Sequence, residues 1–259
     1  MIFNHLKNFF VSAAAFLVLA GTAVPALAAP VKNIVLVHGA FVDGSGWKGV
    51  YDILVKDGYN VTLVQQPLTS LPEDVAATKR ILDRQPGPCI LVGHSYGGAV
   101  ICGAGTHPAV QSLIFLTAAV IDSDECLAAS RGGDMISPAL AAAMRPTSED
   151  GPLYVDSEAA RDVFYSHCPA PAVAAAVSQI RPIMPACMAG AIGAAAWRSR
   201  LSSYIFTQDD NALPLAAQEV FAAKLDCPTQ AIWSDHSPFL SHPQELADLL
   251  IPLLKLTSA

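Results

Sequence analysis

The residues in this chain best suited to covalent chemistry lie in Gly93-His94-Ser95-Tyr96-Gly97-Gly98. A serine sits there between glycines, directly after the apolar run Cys89-Ile90-Leu91-Val92. A small-residue stretch follows, with Ala99, Gly103, Ala104 and Gly105. A strand that turns sharply into a helix at Ser95 would lift its hydroxyl above the strand end. Gly93 and Gly97 would lack a Cβ where strand and helix cross closely. A plain glycine-rich turn is the bland alternative, and the strand before and helix after argue against it. Ser45, in Gly44-Ser45-Gly46, has flanking glycines but no strand in front of it.

A serine hydroxyl is a weak nucleophile at neutral pH, so a base must take its proton. The seven histidines can be weighed singly. His5 falls in the leader, and His38 ends the first apolar run. His94 adjoins Ser95 and is turned into the structure. His107 is expected at the surface, and His167 in a middle insertion. His236 directly follows the last apolar run, where a base can reach Ser95, and His242 competes weakly from six residues on. The base in turn needs an acid to fix its tautomer and stabilise the imidazolium. With the chain order serine, acid, histidine, the acid follows Tyr204-Ile205-Phe206. Asp209 and Asp210 both stand there. Asp210 is preferred, because Pro214 opens a helix four residues on and sets the loop register. Asp235 reads as a turn or capping residue. Acyl transfer also needs two donors for an oxyanion. One is the N–H of Tyr96. The other falls on His38-Gly39-Ala40-Phe41, where Ala40 is the choice and Phe41 the neighbour that could replace it. Phe41 and Trp47 are candidate substrate contacts, although packing is the plainer role for Trp47.

Strands and helices must alternate to hold these loops together. Ile34–Val37, Val61–Val64, Cys89–Val92 and Leu113–Leu116 are continuous apolar runs, as in strands buried on both faces. Ser70 and Glu73 form a capping box. The helix they open places Leu71, Val75, Thr78 and Leu82 on one face. Tyr204–Phe206 and Ala231–Trp233 resume the strand rhythm, and 244–251 is a final helix with Pro252 near its end. The class is α/β, with a mostly parallel sheet and helices on both faces. Residues 121–196 are rich in Ala and Pro and contain no convincing strand. They read as a helical lid with patches at 137–144, 157–165, 171–180 and 186–197. The division is therefore a leader over 1–28, a first core part over 29–120, the lid over 121–196 and a second core part over 197–259.

The chain has 259 residues, 53% hydrophobic and 14% charged, which excludes disorder. A net charge of −7 with no basic run argues against a nucleic-acid partner. Lys7, the apolar stretch 9–20 and Ala26-Leu27-Ala28 read as a cleavable secretion signal, with the mature chain starting at Ala29. The protein is then expected outside the cytoplasm, periplasmic or secreted, without a stable membrane anchor. Export permits disulfides. Among six cysteines, Cys126, Cys168 and Cys187 are the candidates for one, and Cys102 reads as a small buried hydrophobe.

Three segments together resemble the α/β-hydrolase superfamily: Val35-Leu36-Val37-His38-Gly39-Ala40, the Ser95 turn, and Ser234-Asp235-His236-Ser237-Pro238. They are similar to bacterial relatives of the plant methylesterase and hydroxynitrile lyase branch. The resemblance runs from about Val31 to Leu250 and is weak through the lid. It implies an α/β-hydrolase fold, a triad of Ser95, Asp210 and His236, and no metal or organic cofactor. The lyases of that branch carry Thr at the position of Gly39 and Lys at that of Ser237, so both departures favour ester hydrolysis. The expected activity is that of a carboxylesterase on small to medium uncharged esters. A lyase or carbon–carbon hydrolase on the same residues, or a ligand-binding protein with little turnover, are the alternatives.

Overall fold

The computed structural model describes residues 31–129, 135–149 and 151–256. The expected leader over 1–28, and with it the expected cleavage site, lies outside the described residues. Six strands form one parallel sheet in the order β2-β1-β3-β4-β7-β8. They are β1 (Asn33–Val37), β2 (Asn60–Leu63), β3 (Cys89–Ser95), β4 (Val110–Ala118), β7 (Leu201–Thr207) and β8 (Thr229–Ile232). Alternation along each apolar run divides the side chains between two cores. Ile34, Leu36, Ile90, Val92, Ile114 and Ile205 point to one face. There they meet Val50 and Leu54 of α1 (Lys48–Lys56) and Leu246, Leu250 and Leu253 of the final helix (Pro243–Leu256). Val35, Val37, Leu91, Phe115 and Tyr204 point to the other. That face is covered by α2 (Leu71–Leu82), α3 (Tyr96–Ala104) and α8 (Leu215–Ala223). Burial on both faces explains why the strands read as unbroken apolar runs.

The capping box forms as expected, with Ser70 Oγ accepting from the Glu73 N–H. The final helix runs past its expected end, through Pro252, to Leu256. Leu253 and Leu254 are buried, and their packing carries the helix over the missing N–H.

Between β4 and β7 the chain forms α4 (Pro138–Ala143), β5 (Met144–Pro146), β6 (Leu153–Val155), α5 (Ser157–Phe164), α6 (Ala170–Ser178) and α7 (Ala186–Ala189). The expectation of no strand here is corrected, because β5 and β6 pair as an antiparallel hairpin. Its arms are three residues long, one ending in Pro146 and the other preceded by Pro152, too short for alternation to register. The patch expected over 186–197 is also shorter than read. The helix stops at Ala189 before Gly190, and only a 3-10 turn at Ala196–Arg198 follows.

No disulfide is formed among the candidates Cys126, Cys168 and Cys187: all six cysteines are free thiols. Cys168 Sγ faces Asp235 at 3.5 Å, Cys187 Sγ faces Asp74 at 3.7 Å, and Cys126 lies in a backbone bridge with Ala191. Cys102 is fully buried, and desolvation pushes its thiol up to about 12. No helix of the described residues is long and apolar enough to cross a membrane.

Strand order places the site. The chain leaves β1 towards β2 on one side and returns to β3 on the other. In an open parallel sheet such a reversal leaves a crevice beyond the carboxyl ends of the two central strands. The segment His38–Phe41 follows β1, and Ser95 ends β3.

Candidate active site

Ser95 sits at φ 54°, ψ −124°, a backbone that L-residues rarely adopt. Close packing holds it there. A Cβ on Gly97 would lie 2.6 Å from the His38 carbonyl oxygen, and one on Gly93 would lie 2.7 Å from that of Gly97. A Cβ on Gly39 would lie 2.9 Å from Ser95 Cβ, so the loop after β1 reaches the serine only because residue 39 is glycine.

His236 and Asp210 complete a chain of hydrogen bonds. Ser95 Oγ is 3.0 Å from His236 Nε2, and His236 Nδ1 donates to Asp210 Oδ2 at 2.8 Å. Asp210 accepts four further hydrogen bonds. Thr117 and Thr207 hydroxyls donate to Oδ2 at 2.7 and 2.8 Å, and the Ala212 and Leu213 N–H groups donate to Oδ1 at 2.8 Å. Burial alone would raise its pKa, but His236 and these donors outweigh it and hold the carboxyl at about 2. The acid is therefore ionised, and its partner nitrogen is the protonated one. Such a chain leaves Nε2 free to accept a proton from a serine.

The residues weighed against these are occupied elsewhere. Asp209 is half exposed and bonds His167 Nε2 at 2.6 Å. Asp235 is buried and takes the His167 and Ser237 N–H groups, so it ties the segment after α5 to the loop carrying His236. His242 bonds Ser241 Oγ, and His107, largely covered rather than at the surface, bonds Asp83. His38 donates from Nδ1 to the Gly39 carbonyl and accepts the Gln66 N–H at Nε2. Desolvation lowers its pKa to about 4. His94 is turned inward as expected, and Nε2 donates to the His236 carbonyl at 2.8 Å. Burial holds it far below the usual histidine range.

Tyr96 opens α3, where a first-turn N–H has no acceptor within its own helix, and Ala40 follows the loop glycine. Both residues line a cavity of about 400 Å³ beside Ser95 and His236. Phe41, at φ 65°, also lines it and stacks on Phe164 with ring centroids 6.4 Å apart. Trp47 reaches its edge but packs on Phe239, at 4.7 Å. The remaining wall is mainly apolar, with Leu140, Met144, Leu153 and Met188 from the segment between β4 and β7. Among the described residues no group of three His, Cys, Asp or Glu is placed to hold a metal.

Sequence reasoning did not single out three supports. Thr117 and Thr207 hold the acid. Asp74 accepts the Tyr96 hydroxyl at 2.6 Å and the Leu68 N–H at 2.8 Å. Asp74 lies one turn from Leu71 and from Thr78, so its place on the buried face of α2 was available from periodicity.

Comparison with known proteins agrees with this architecture. Residues 34–249 match the model of the alpha/beta hydrolase family. The chloroplastic protein of Arabidopsis thaliana assigned as methylesterase 11 is 27% identical over 256 residues, covering 88% of this chain and 65% of its own. This chain thus spans about two thirds or less of the length of the plant methylesterases 11, 13 and 15. The pyrethroid hydrolase of Sphingobium wenxiniae is 26% identical, covering 85% of this chain and 86% of that one. The crystal structure of a pyrethroid hydrolase from Sphingobium faniae superposes with a TM-score of 0.76 at 24% identity, over 86% of this chain and 97% of that one. With the match spanning the sheet and the loops that carry Ser95 and His236, the chain belongs to the alpha/beta hydrolase family.

Proposed function

We propose that the protein is an exported serine hydrolase that cleaves small to medium, uncharged carboxylic esters. The observation that carries this reading is the unbroken chain Ser95–His236–Asp210 beside an apolar cavity. In this reading His236 Nε2 takes the Ser95 proton as Oγ attacks the acyl carbon. The N–H groups of Tyr96 and Ala40 hold the oxyanion. His236 then protonates the leaving alkoxide, and water repeats the cycle on the acyl-enzyme. Phe41 walls the acyl-transfer centre, and Trp47 supports its floor. The segment 121–196 serves as the lid. Among the lining residues Asp43 is the one carboxylate, and none is Lys or Arg. A charged acid would lie there unpaired, which favours uncharged esters. The methylesterase and pyrethroid hydrolase names of the relatives point the same way. Export rests on the leader-like residues 1–28.

The test compares the mature protein with Ser95→Ala on aryl esters from acetate to laurate. A loss of about a thousandfold or more is expected. Equal rates for the two proteins would overturn the reading. Export is checked by N-terminal sequencing of the protein outside the cytoplasm, with Ala29 expected first. A retained leader on a cytoplasmic protein would refute it.

A further inference from the structure

The cavity is apolar, and most of its polar side chains are engaged or sealed: Trp47 Nε1 and His94 Nδ1 lack a partner but are fully buried. His38 uses both ring nitrogens, Tyr96 gives its hydroxyl to Asp74, and Ser45 and Gln179 bond each other. Tyr165 differs. It is 2% exposed and lines the cavity, yet among the described residues its hydroxyl meets no hydrogen-bond partner. That hydroxyl is also absent from the polar atoms sealed away without a partner, so it is not fully enclosed by protein. An enclosed phenol without a partner gives up a hydrogen bond that a ligand can restore. Burial pushes the Tyr165 hydroxyl well above the usual tyrosine range, so it remains a donor at any pH at which the enzyme would work.

Its side of the cavity follows from the triad. The Tyr165 ring lies 5.8 Å from that of Phe164, and the Phe164 ring lies 5.7 Å from that of His236. His236 must hand its proton to the leaving alkoxide, so the alcohol part of an ester leaves on the His236 side.

We infer that Tyr165 is a specificity-determining residue that donates a hydrogen bond to an oxygen in the alcohol part of the substrate, separate from the ester group. The substrate class is then an uncharged ester whose otherwise apolar alcohol carries an ether or carbonyl oxygen. This inference rests on the ester-hydrolase reading. Ser237 Oγ also lines the cavity without a partner, but it stands on a short side chain next to His236 and has less reach.

The experiment uses hexyl butyrate and its isosteres with an ether oxygen replacing the third, fourth or fifth carbon of the alcohol chain. Acid release is followed by pH-stat titration for the wild type, Tyr165→Phe, Ser237→Ala and Ser95→Ala. At least one oxygen position is expected to raise wild-type kcat/KM over the hydrocarbon ester by about 3–10-fold, the worth of one neutral hydrogen bond. Tyr165→Phe is expected to erase that preference while leaving hexyl butyrate within about twofold, since no packing atom is lost. An equal loss on both ester types would make Tyr165 a packing residue and overturn the inference, as would a preference that survives Tyr165→Phe but not Ser237→Ala. In those cases Ser95-dependent hydrolysis persists and the hydrolase reading stands. Absence of Ser95-dependent hydrolysis on every ester, the aryl panel included, would overturn the reading and this inference with it.

Discussion

Replacing Asp210 by Asn tests the central chain of the site with almost no change in volume. In the folded protein Oδ1 receives the Ala212 and Leu213 N–H groups, which cannot rotate. An Asn side chain must therefore turn its carbonyl oxygen to those amides and place its NH2 where Oδ2 stood, facing His236 Nδ1. The imidazole then has to accept at Nδ1 and carry its proton on Nε2. In that tautomer it cannot take the Ser95 proton. Tautomer reversal of this kind costs about four powers of ten in kcat, or about 5.5 kcal/mol of transition-state stabilisation. The fold should survive. The Thr117 and Thr207 hydroxyls can turn to become acceptors. The stability held in the depressed Asp210 pKa, 3.8 against about 2, is about 2 kcal/mol at neutral pH. The assay is kcat/KM on an activated aryl ester, with Tm measured in parallel and Asp209→Asn as the control. Asp209 is half exposed, and its pairing with His167 is worth at most about 1 kcal/mol. That variant should keep its rate within about threefold. Retention of more than about a tenth of the activity by Asp210→Asn, or an equal fall in Asp209→Asn, would refute this assignment of the acid.

Two further outcomes follow from the packing and the buried histidines. His38 is held neutral with its pKa lowered from 6.5 to about 4, so between those values the unfolded chain binds the proton and the folded chain does not. Its contribution is lost as pH falls from 6.5 through 4, by about 3 kcal/mol, and His94 acts in the same direction. Urea unfolding at pH 7 and at pH 4.5 should show the lower midpoint at 4.5, and a flat or rising midpoint would contradict the buried neutral state. Gly97→Ala should destabilise by about 3 kcal/mol or more, because its Cβ would meet the His38 and Val37 carbonyl oxygens at 2.6 and 2.7 Å. Thermal unfolding checks this, and a Tm within a degree or two of wild type would show that β1 can yield.

Local signals carried much of this protein. Apolar runs such as Ile34–Val37 and Cys89–Val92 mark strands because a parallel strand buries both faces. Ser70 and Glu73 mark a helix start because the cap is a contact between near neighbours. The placing of Ser95 rests on glycines whose missing side chains are visible in the residue types themselves. Tertiary structure decided what depends on partners distant along the chain. In the sequence only the position of Pro214 favours Asp210 over Asp209. They differ because Thr117, 93 residues earlier, and His236 meet one of them, while His167 meets the other. The β5–β6 hairpin was hidden because three-residue arms are too short to show alternation. Cys187, Cys168 and Cys126 face different partners, Asp74, Asp235 and the Ala191 strand bridge respectively, although they share one segment of sequence. Tyr165 stands out only in three dimensions. Nothing in Phe164-Tyr165-Ser166 distinguishes a tyrosine packed in the core from one that lines a cavity, because the cavity is made by elements that meet only when the sheet and the segment above it close together.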